Sequence, residues 1–250
     1  FFFRKFENYM TIKFSIIIPT LNSLSFLKNC LKSIFEQTYK NYEIIVVDGG
    51  SDDGTVEFLK SFGDKIKWIS EKDKGQADAI NKGIKLSSGN WITWQNCDDY
   101  YNNKDALKIF FRGINSNQSK KLIIANIELV NLYGKVLRDV KYFDPYFYSL
   151  LYEGMTLTNQ ACFWNKELNS KIGYLKNLRI YFDYEWFLRI LKNFPNCGLH
   201  LNYNIASFRL HKKQKTQNQN YNDLINLKKI KNYYGYKKHY SLFFKPYLLI

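Results

Sequence analysis

The sequence contains few of the residues that mark several common protein classes. It has four cysteines in 250 residues, and no two of them form a CxxC pair. A zinc ribbon or a disulfide-stabilised scaffold is therefore not expected, and the cysteine usage fits a reducing compartment. No apolar run reaches the roughly 18 residues that a membrane-spanning helix needs. These absences leave a globular α/β, all-α or all-β protein to be distinguished by pattern.

Charge is the strongest compositional feature. The chain carries 37 Lys and Arg against 22 Asp and Glu, a formal net charge of +15, while 46% of its residues are hydrophobic. Residues 201–250 hold ten of the basic residues and one acidic residue, Asp223, so this last fifth alone contributes +9. A basic segment of this kind suits nucleic acid, anionic lipid or a phosphorylated substrate.

Short apolar runs alternate with helical patterns through the first hundred residues. Four runs predict buried strands, at 13–18, 42–48, 66–70 and 91–94. Apolar residues at helical spacing predict helices between them, around 27–34, 53–59 and 77–84. Strict alternation of strand and helix indicates a mostly parallel central sheet with helices on both faces.

The pattern changes after residue 104. A helix over 105–111 precedes two strand-like segments, 122–130 and 134–140, whose connecting residues 131–134 predict a hairpin turn. A short strand is predicted at 161–164 and a helix from Phe182 to a point before Pro195. Residues 211–222 are rich in Gln, Asn and Lys, which favours a loop or a mobile lid.

Polar residues follow each of the first four predicted strands. Because ligands bind at the carboxyl ends of parallel strands, these residues should share one site. The glycine-rich turn 48–55 lacks the Lys-Ser/Thr pair of a P-loop, and GxGxxG is absent from the first turn, so NAD-type and P-loop sites are not expected. The adjacent pair Asp98 and Asp99 suits a hard cation such as Mg²⁺ or Mn²⁺. A solvated turn that caps the next helix is the alternative for this pair.

Four ordered blocks carry a resemblance to a known family. FSIIIPTLN, EIIVVDGGSDDGT, ISEKDKGQADAINKGIKLSSG and WITWQNCDDYY resemble family-2 glycosyltransferases of the GT-A fold in order and spacing. Later segments, NQACFW, FDYEWFLRI and SFRLH, are similar to the C-terminal half of the family. The resemblance implies a GT-A-like, Rossmann-type fold over residues 11–215, with a nucleotide-binding half at 11–101 and an acceptor half at 102–215. Residues 216–250 would then form a helical, basic and aromatic extension.

The resemblance also implies the residues that bind the nucleotide. It places Thr20, Asn22, Asp48 and Asp73 around the base and ribose of the donor. A carboxylate can accept hydrogen bonds from ribose hydroxyls or a base imide. From the residues alone, Asp48 could equally cap a turn, and Asp73 could be a solvated loop charge.

Metal binding is implied by the family's D-x-D-D motif. Here Asn96 occupies the first position, while Asp98 and Asp99 remain. We expect Asp99 to bind a divalent metal and Asp98 to contact metal or ribose. His211 matches a position that meets the metal or diphosphate in relatives, and a surface histidine is the alternative. Lysines of the loop after His211 are candidates to hold the leaving diphosphate, namely Lys212, Lys213 and Lys215.

The family's general base is an acidic residue at the start of a late helix. FDYEWFLRI matches there, which implies Asp183 as the base, with Glu185 as second choice. From the residues alone, Asp183 could instead be the N-cap of the helix. Gln160 and Trp164 are candidates for the acceptor side.

The implied function is inverting transfer of a sugar from a nucleotide-diphosphate donor, with UDP expected, to a hydroxyl of a glycan or lipid-linked acceptor. The expected setting is synthesis of a bacterial cell-envelope polysaccharide, in the cytoplasm or on the inner face of the cytoplasmic membrane. The Lys-rich, aromatic tail 228–250 could contact an anionic membrane, or pack as a helix with its lysines in water.

Three other functions stay open at this point. Asn96 favours a nucleotide-sugar-binding module without catalysis, and the metal-type carboxylates also suit a sugar nucleotidyltransferase. The basic tail favours nucleic-acid binding, but acidic strand ends oppose it near the sheet, so we expect no nucleic-acid partner.

Overall fold

The structure is a computed structural model that describes residues 11–238. Its first half builds four strands and three helices in alternation. These elements are β1 (Phe14–Thr20), α1 (Leu24–Phe35), β2 (Tyr42–Asp48), α2 (Thr55–Lys60), β3 (Lys67–Ser70), α3 (Gln76–Leu86) and β4 (Trp91–Trp94). All three strand pairs within this half are parallel, which follows from a helix crossing over between successive strands.

The second half adds five strands and five helices. They are β5 (Tyr100–Tyr101), α4 (Ala106–Ser116), β6 (Leu122–Val130), β7 (Val136–Val140), α5 (Phe147–Glu153), β8 (Cys162–Asn165), α6 (Glu167–Ile172), α7 (Phe182–Asn193), β9 (Gly198–Arg209) and α8 (Tyr221–Tyr233). The predicted hairpin is confirmed, since Gly134 N donates to the carbonyl of Asn131 in the turn between β6 and β7.

One sheet joins both halves in the order β3-β2-β1-β4-β8-β6-β9-β5, with β7 paired to β6 beside β8. Strand β8 is antiparallel to both β4 and β6, so β6 runs in the same direction as β4. Strand β9 is parallel to β6. The ends of β1, β2, β3, β4, β6 and β9 therefore meet at one edge of the sheet.

Helices cover both faces of the sheet, as predicted. Alternate residues of β1 point to opposite faces, so Ile16 and Ile18 pack in one core while Ile17 packs in the other. Helices α1 and α4 cover the first core, and α3 and α7 cover the second. The predicted α/β fold is confirmed.

Among the segments that differ from the sequence-based expectation, two are strand β9 and the polar segment that follows it. The twelve-residue strand β9 was not predicted, because its polar residues and its irregular register against β6 interrupt the alternation that marks a strand. The polar segment 211–222 is a loop only as far as Asn220, which caps α8 through a capping box with Asp223.

Helix α8 is the described part of the predicted C-terminal extension. Its Ile230, and Tyr234 just beyond it, are buried in the core that α3 and α7 cover. Within residues 11–238, none of the helices combines the length and apolar character that a transmembrane span requires. Residues 239–250 lie outside the described part of the chain, so the membrane contact expected of the tail stays a prediction.

Candidate active site

A cleft of about 1270 Å³ opens at the edge where the parallel strands end. The loops after β1, β3 and β4 line one part of it, with the start of α1. The β6–β7 hairpin, parts of the segment 141–160, the start of α7 and the loop after β9 line the remainder. The sheet order fixes this arrangement, because β4 separates β1, β2 and β3 from β6 and β9. The cleft therefore has a β1–β3 side, a centre at the end of β4 and a β6–β9 side.

The loop after β1 is fixed to the loop after β2 by Asn22. Its φ of 47° is in the left-handed region that Asn tolerates better than most residues. The backbone N–H of Asn22 donates to Ser51 Oγ at 2.8 Å, and its Oδ1 accepts from the N–H of Asp52 at 3.0 Å. Thr20 and Asn22 both line the cleft, as the predicted nucleotide contacts should.

Asp48 has a different environment. It is fully buried, is not part of the cleft wall, and accepts hydrogen bonds from Ser51 and from Ser70 Oγ, the latter at 2.6 Å. It also accepts from the N–H of Gly50 at 3.2 Å. The structure thus gives Asp48 a role in shaping the glycine-rich turn, and its contact with a nucleotide stays a prediction.

Asp73 lies on the cleft wall in the loop between β3 and α3. Its Oδ1 accepts from the N–H of Gly75 at 2.8 Å. Its Oδ2 lies directly over Gly49, where an added Cβ would come within 2.9 Å of it. The absence of a side chain at residue 49 therefore gives the Asp73 carboxylate its place at the β1–β3 side of the cleft.

Asp98 and Asp99, although adjacent, face opposite directions. Asp98 lines the centre of the cleft, where its Oδ2 is 2.9 Å from His211 Nε2. Asp99 is 1% exposed and is not part of the cleft wall. The predicted cluster is therefore only partly formed, since Asp98 and His211 come together and Asp99 turns away.

Protein donors occupy both oxygens of Asp99. Oδ1 accepts from the backbone N–H of Arg209 at 2.9 Å, and Oδ2 accepts from Gln160 Nε2 at 2.6 Å and Asn96 Nδ2 at 3.0 Å. Burial and the charge of Asp98 raise the pKa of Asp99 well above its usual value, although these hydrogen bonds oppose the shift. The geometry therefore gives Asp99 a structural role, and its contact with a metal stays a prediction.

Asn96, the departure from the family motif, is part of this network. Besides donating to Asp99, it accepts a hydrogen bond from Gln76 Nε2 at 2.9 Å. A carboxylate at residue 96 could not donate to Asp99 and would add a like charge beside it. The Asn96 amide, which can donate a hydrogen bond and carries no charge, thus suits a position beside the Asp99 carboxylate.

Arg209 anchors the centre of the site, and sequence reasoning missed it. The side chain is buried, Nε donates to the carbonyl of Asp98 at 2.9 Å, and Nη1 donates to the carbonyl of Leu132 at 2.7 Å. Its guanidinium lies over the rings of Phe26 and Tyr100. Only its place two residues before His211 could have indicated it, because its partners come from distant segments.

The donor chemistry at the centre of the cleft fits a divalent cation. Among residues 11–238 there is no group of three or more His, Cys, Asp and Glu side chains placed to hold a metal. Asp98 Oδ2 and His211 Nε2 nevertheless offer one oxygen and one nitrogen side by side, and the ring of His211 is stacked on Phe26. A cation such as Mn²⁺ accepts such ligands and completes its shell with water and phosphate oxygens. The pair of Asp98 and His211 therefore fits a site with two protein ligands.

Asp183 lies in the first turn of α7 and lines the cleft. Tyr181, which precedes the helix, has a left-handed backbone with φ of 67°. Burial raises the pKa of the Asp183 carboxyl, although the N–H of Tyr184 donates to it at 2.8 Å. Glu185, the second choice for the base, is 1% exposed and paired with Arg189 at 2.8 Å, outside the cleft wall. The geometry thus favours Asp183 over Glu185.

The remaining candidates divide between cleft and core. Gln160 lines the cleft, but Trp164 is buried in β8 and donates from Nε1 to Asn169 Oδ1 at 2.8 Å, so it is not an acceptor contact. Lys213 and Lys215 line the cleft from the loop after β9, and Lys212 does not.

Comparisons with known proteins agree with this geometry. A family model described as Glycosyl transferase family 2 matches residues 15–131. An uncharacterised glycosyltransferase of Rickettsia prowazekii is 32% identical over 233 residues, covering 84% of this chain and 69% of the relative. A PGL/p-HBAD biosynthesis glycosyltransferase of Mycobacterium bovis is 29% identical over 203 residues, covering 78% of this chain and 76% of the relative.

Solved structures show the same fold. S. aureus TarS residues 1–349, crystallised with UDP-GlcNAc, match with a TM-score of 0.73 at 18% identity, covering 92% of this chain and 69% of that chain. A mannosyltransferase from Pyrobaculum calidifontis, in complex with GDP-Man and Mn²⁺, matches with a TM-score of 0.59 at 14% identity, covering 93% and 72%. The fold is thus GT-A-like, and together with the family match and the R. prowazekii relative this shows that the chain belongs to the family 2 glycosyltransferases.

Proposed function

We propose that this protein transfers a sugar from a UDP-sugar to an acceptor hydroxyl with inversion at the anomeric carbon. One observation carries the proposal. The Asp98–His211 pair lies at the centre of a cleft that also holds Asp73 and Asp183. A diphosphate at the centre would leave the nucleoside on the β1–β3 side and the reacting sugar facing α7.

The β1–β3 side would bind the nucleoside. Asp73 offers a carboxylate to ribose hydroxyls or to a base N–H, and its place over Gly49 keeps that carboxylate at the wall. Backbone groups near Thr20 and Asn22 would flank the base. UDP is proposed because the TarS structure contains UDP-GlcNAc, and GDP is the first alternative because the mannosyltransferase contains GDP-Man.

The centre of the cleft would hold the diphosphate. A divalent cation bound by Asp98 and His211 would supply positive charge that stabilises the departing diphosphate. Lys213 and Lys215 line the same cleft and would add further positive charge beside the diphosphate. Because Arg209 holds the carbonyl of Asp98, the Asp98 carboxylate needs little reorganisation on binding.

Asp183 would act as the general base. As the acceptor oxygen attacks the anomeric carbon, its proton passes to an oxygen of Asp183, and the bond between that carbon and the diphosphate oxygen breaks on the opposite face. The raised pKa of Asp183 makes it a better proton acceptor than an exposed aspartate, provided that it is ionised before the step.

The biological setting is proposed from the relatives. A role in glycolipid or cell-envelope polysaccharide synthesis, with an acceptor at the membrane, is proposed from the M. bovis PGL/p-HBAD biosynthesis glycosyltransferase and from the basic C-terminal segment. A binding module without catalysis is less well supported. Asn96 satisfies the buried Asp99, while the cleft keeps its own carboxylate, Asp98.

A turnover assay tests the proposal. The wild-type protein is incubated with a panel of UDP-sugars and Mn²⁺, and UDP release is measured with and without acceptor mixtures. We expect release from at least one donor, and a loss of about 10²–10⁴-fold in kcat for Asp183→Asn. UDP affinity of the same variant should stay at the wild-type value, since Asp183 faces the sugar and not the nucleoside. Absence of release from every UDP-sugar, or full activity of Asp183→Asn, would contradict the proposal.

A further inference from the structure

The β6–β9 side of the cleft has an apolar wall. In the sheet register Leu129 of β6 pairs with Phe208 of β9 and with Arg138 of β7, while Ile127 pairs with Val140. Paired residues, and residues two apart on one strand, point to the same face of a sheet. All five side chains line the cleft, so four apolar groups form a continuous surface with Arg138 beside them.

The segment after β7 continues this surface. Tyr142 and Phe143 line the cleft, and Phe143 is 69% exposed although it is a large apolar side chain. Met155, just after α5, lines it as well. Lys141, between Val140 and Tyr142, adds a second basic residue to this part of the cleft wall. A sugar ring does not require an apolar surface of this extent, because its hydroxyls need polar partners.

Two carboxylates line the cleft on this side, and one of them, Asp144, accepts a hydrogen bond from the backbone N–H of His200 at 2.7 Å. Glu153, the last residue of α5, lines the cleft, and its side chain makes no hydrogen bond or ion pair with any other residue in 11–238. Burial raises the pKa of Glu153, so its position is unfavourable for the charged form. A partly buried carboxylate that has no hydrogen-bond or ion-pair partner among residues 11–238 is a ready acceptor for ligand hydroxyls.

We propose that the acceptor is an amphiphile: a sugar or other polyol whose hydroxyls bind Glu153 and whose apolar aglycone lies on the surface formed by Leu129, Val140, Phe208 and Phe143. This inference rests on the proposed function, because it assigns the β6–β9 side to the acceptor. Arg138 and Lys141 suit an anionic group on the aglycone, such as a phosphate. A free, fully polar glycan would leave the apolar surface in contact with water.

Probes that differ only in the apolar part test the inference. Methyl β-D-glucopyranoside and octyl β-D-glucopyranoside, the latter below its critical micelle concentration, are titrated into the full chain saturated with UDP and Mn²⁺. Burial of the added methylenes should tighten binding of the octyl compound by about tenfold or more. UDP affinity is measured in the same samples.

Matched variants test whether the preference for the octyl compound comes from the apolar surface of the cleft. Phe143→Ser should reduce the ratio of the two affinities by about threefold or more. Tyr148→Ser, on the neighbouring helix α5 and 61% exposed but outside the cleft wall, should leave that ratio unchanged. Glu153→Gln should weaken both probes by a similar factor and preserve the ratio, because both carry the same hydroxyls.

The outcomes separate the inference from the proposed function. Normal UDP binding with equal affinity for the two probes, or with no affinity for either, overturns the amphiphile proposal alone. An octyl preference that Phe143→Ser and Tyr148→Ser reduce equally also overturns it, because binding would then be outside the cleft. Failure of UDP to bind at all would instead contradict the proposed function.

Discussion

At the scale of single residues, the backbone turn between Asp98 and Asp99 decides what each can do. Asp98 is at the cleft beside His211, whereas Asp99 is surrounded by donors from Arg209, Gln160 and Asn96. The sequence led us to expect the metal on Asp99, because two of the three donors that hold Asp99, Gln160 and Arg209, come from segments more than 60 residues further along the chain. For the same reason, the sequence analysis did not identify Arg209 as a residue of the site.

Gly49 gives a prediction at this scale. Gly49→Ala should move the Asp73 carboxylate, because the new Cβ would come within 2.9 Å of Asp73 Oδ2. We expect UDP affinity to fall by about tenfold, the effect of losing one hydrogen bond to a charged group. Asp73→Asn should have a similar effect, and calorimetry measures both.

The control for this prediction is the double variant that carries both Gly49→Ala and Asp73→Asn. If Gly49→Ala acts through Asp73, the double variant should bind UDP no more weakly than the weaker single variant. Additive losses, or wild-type affinity of Gly49→Ala, would show that Asp73 does not hold the nucleoside in the way proposed.

At the scale of elements, local pattern predicted the strands that are short apolar runs and missed β9, whose polar residues interrupt the alternation. β1, β2 and β4 are short runs of apolar residues, and the sequence located β2 and β4 at their observed bounds and β1 within two residues at its ends. β9 contains Asn202 and Asn204 at the point where its pairing with β6 shifts register. Its strand structure therefore depends on pairing with β6, which no local pattern reveals.

Glu43 links several elements and gives a prediction of pH-dependent stability. It lies on β2 and accepts hydrogen bonds from Ser15 on β1, from Ser88 before β4 and from Lys67 on β3. Burial alone would raise the pKa of Glu43, but these hydrogen bonds outweigh it and lower the pKa to about 2, from 4.5.

A lowered folded-state pKa means that the ionised form stabilises the fold. The contribution is complete above the unfolded-state value near 4.5 and is lost as the pH falls towards 2. Glu43→Gln should therefore reduce the free energy of unfolding by about 2 kcal/mol at pH 7, after allowance for solvent screening, and by much less near pH 3.

Denaturant unfolding at several pH values measures this difference. Glu57→Gln, an exposed residue on α2, is the matched control and should change stability by less than about 0.5 kcal/mol at any pH. A loss for Glu43→Gln that stays constant from pH 7 to pH 3 would refute the assignment.

At the scale of the whole molecule, both cores are shared by the two halves of the chain. The core under α3 and α7 joins Ile17 and Ile45 to Trp186 and Phe187, and Ile230 of α8 packs in it. The sequence predicted the parallel first half and the helices on both faces. It could not predict that β8 lies between β4 and β6, because that order depends on pairings between residues far apart in sequence.

Shared cores predict a single unfolding transition. We expect far-ultraviolet and near-ultraviolet circular dichroism to give the same midpoint, with the calorimetric and van't Hoff enthalpies equal. The near-ultraviolet signal reports on the contact between the halves, because Trp94 of the first half packs on Trp164, which packs on Trp186. Two separated transitions would show that residues 11–101 fold independently of the remainder.

The most direct measurement is calorimetric titration of UDP into the wild type, Asp98→Asn and Asp99→Asn, each with and without Mn²⁺. The wild type should bind UDP in a metal-dependent manner, and Asp98→Asn should lose at least about tenfold of that affinity. Asp99→Asn makes the same substitution one residue away and should keep the metal dependence while it lowers thermal stability, because Asp99 holds Gln160 and Arg209. Metal-dependent binding that survives Asp98→Asn, or wild-type protein that does not bind UDP with Mn²⁺, would contradict the site proposed for this glycosyltransferase.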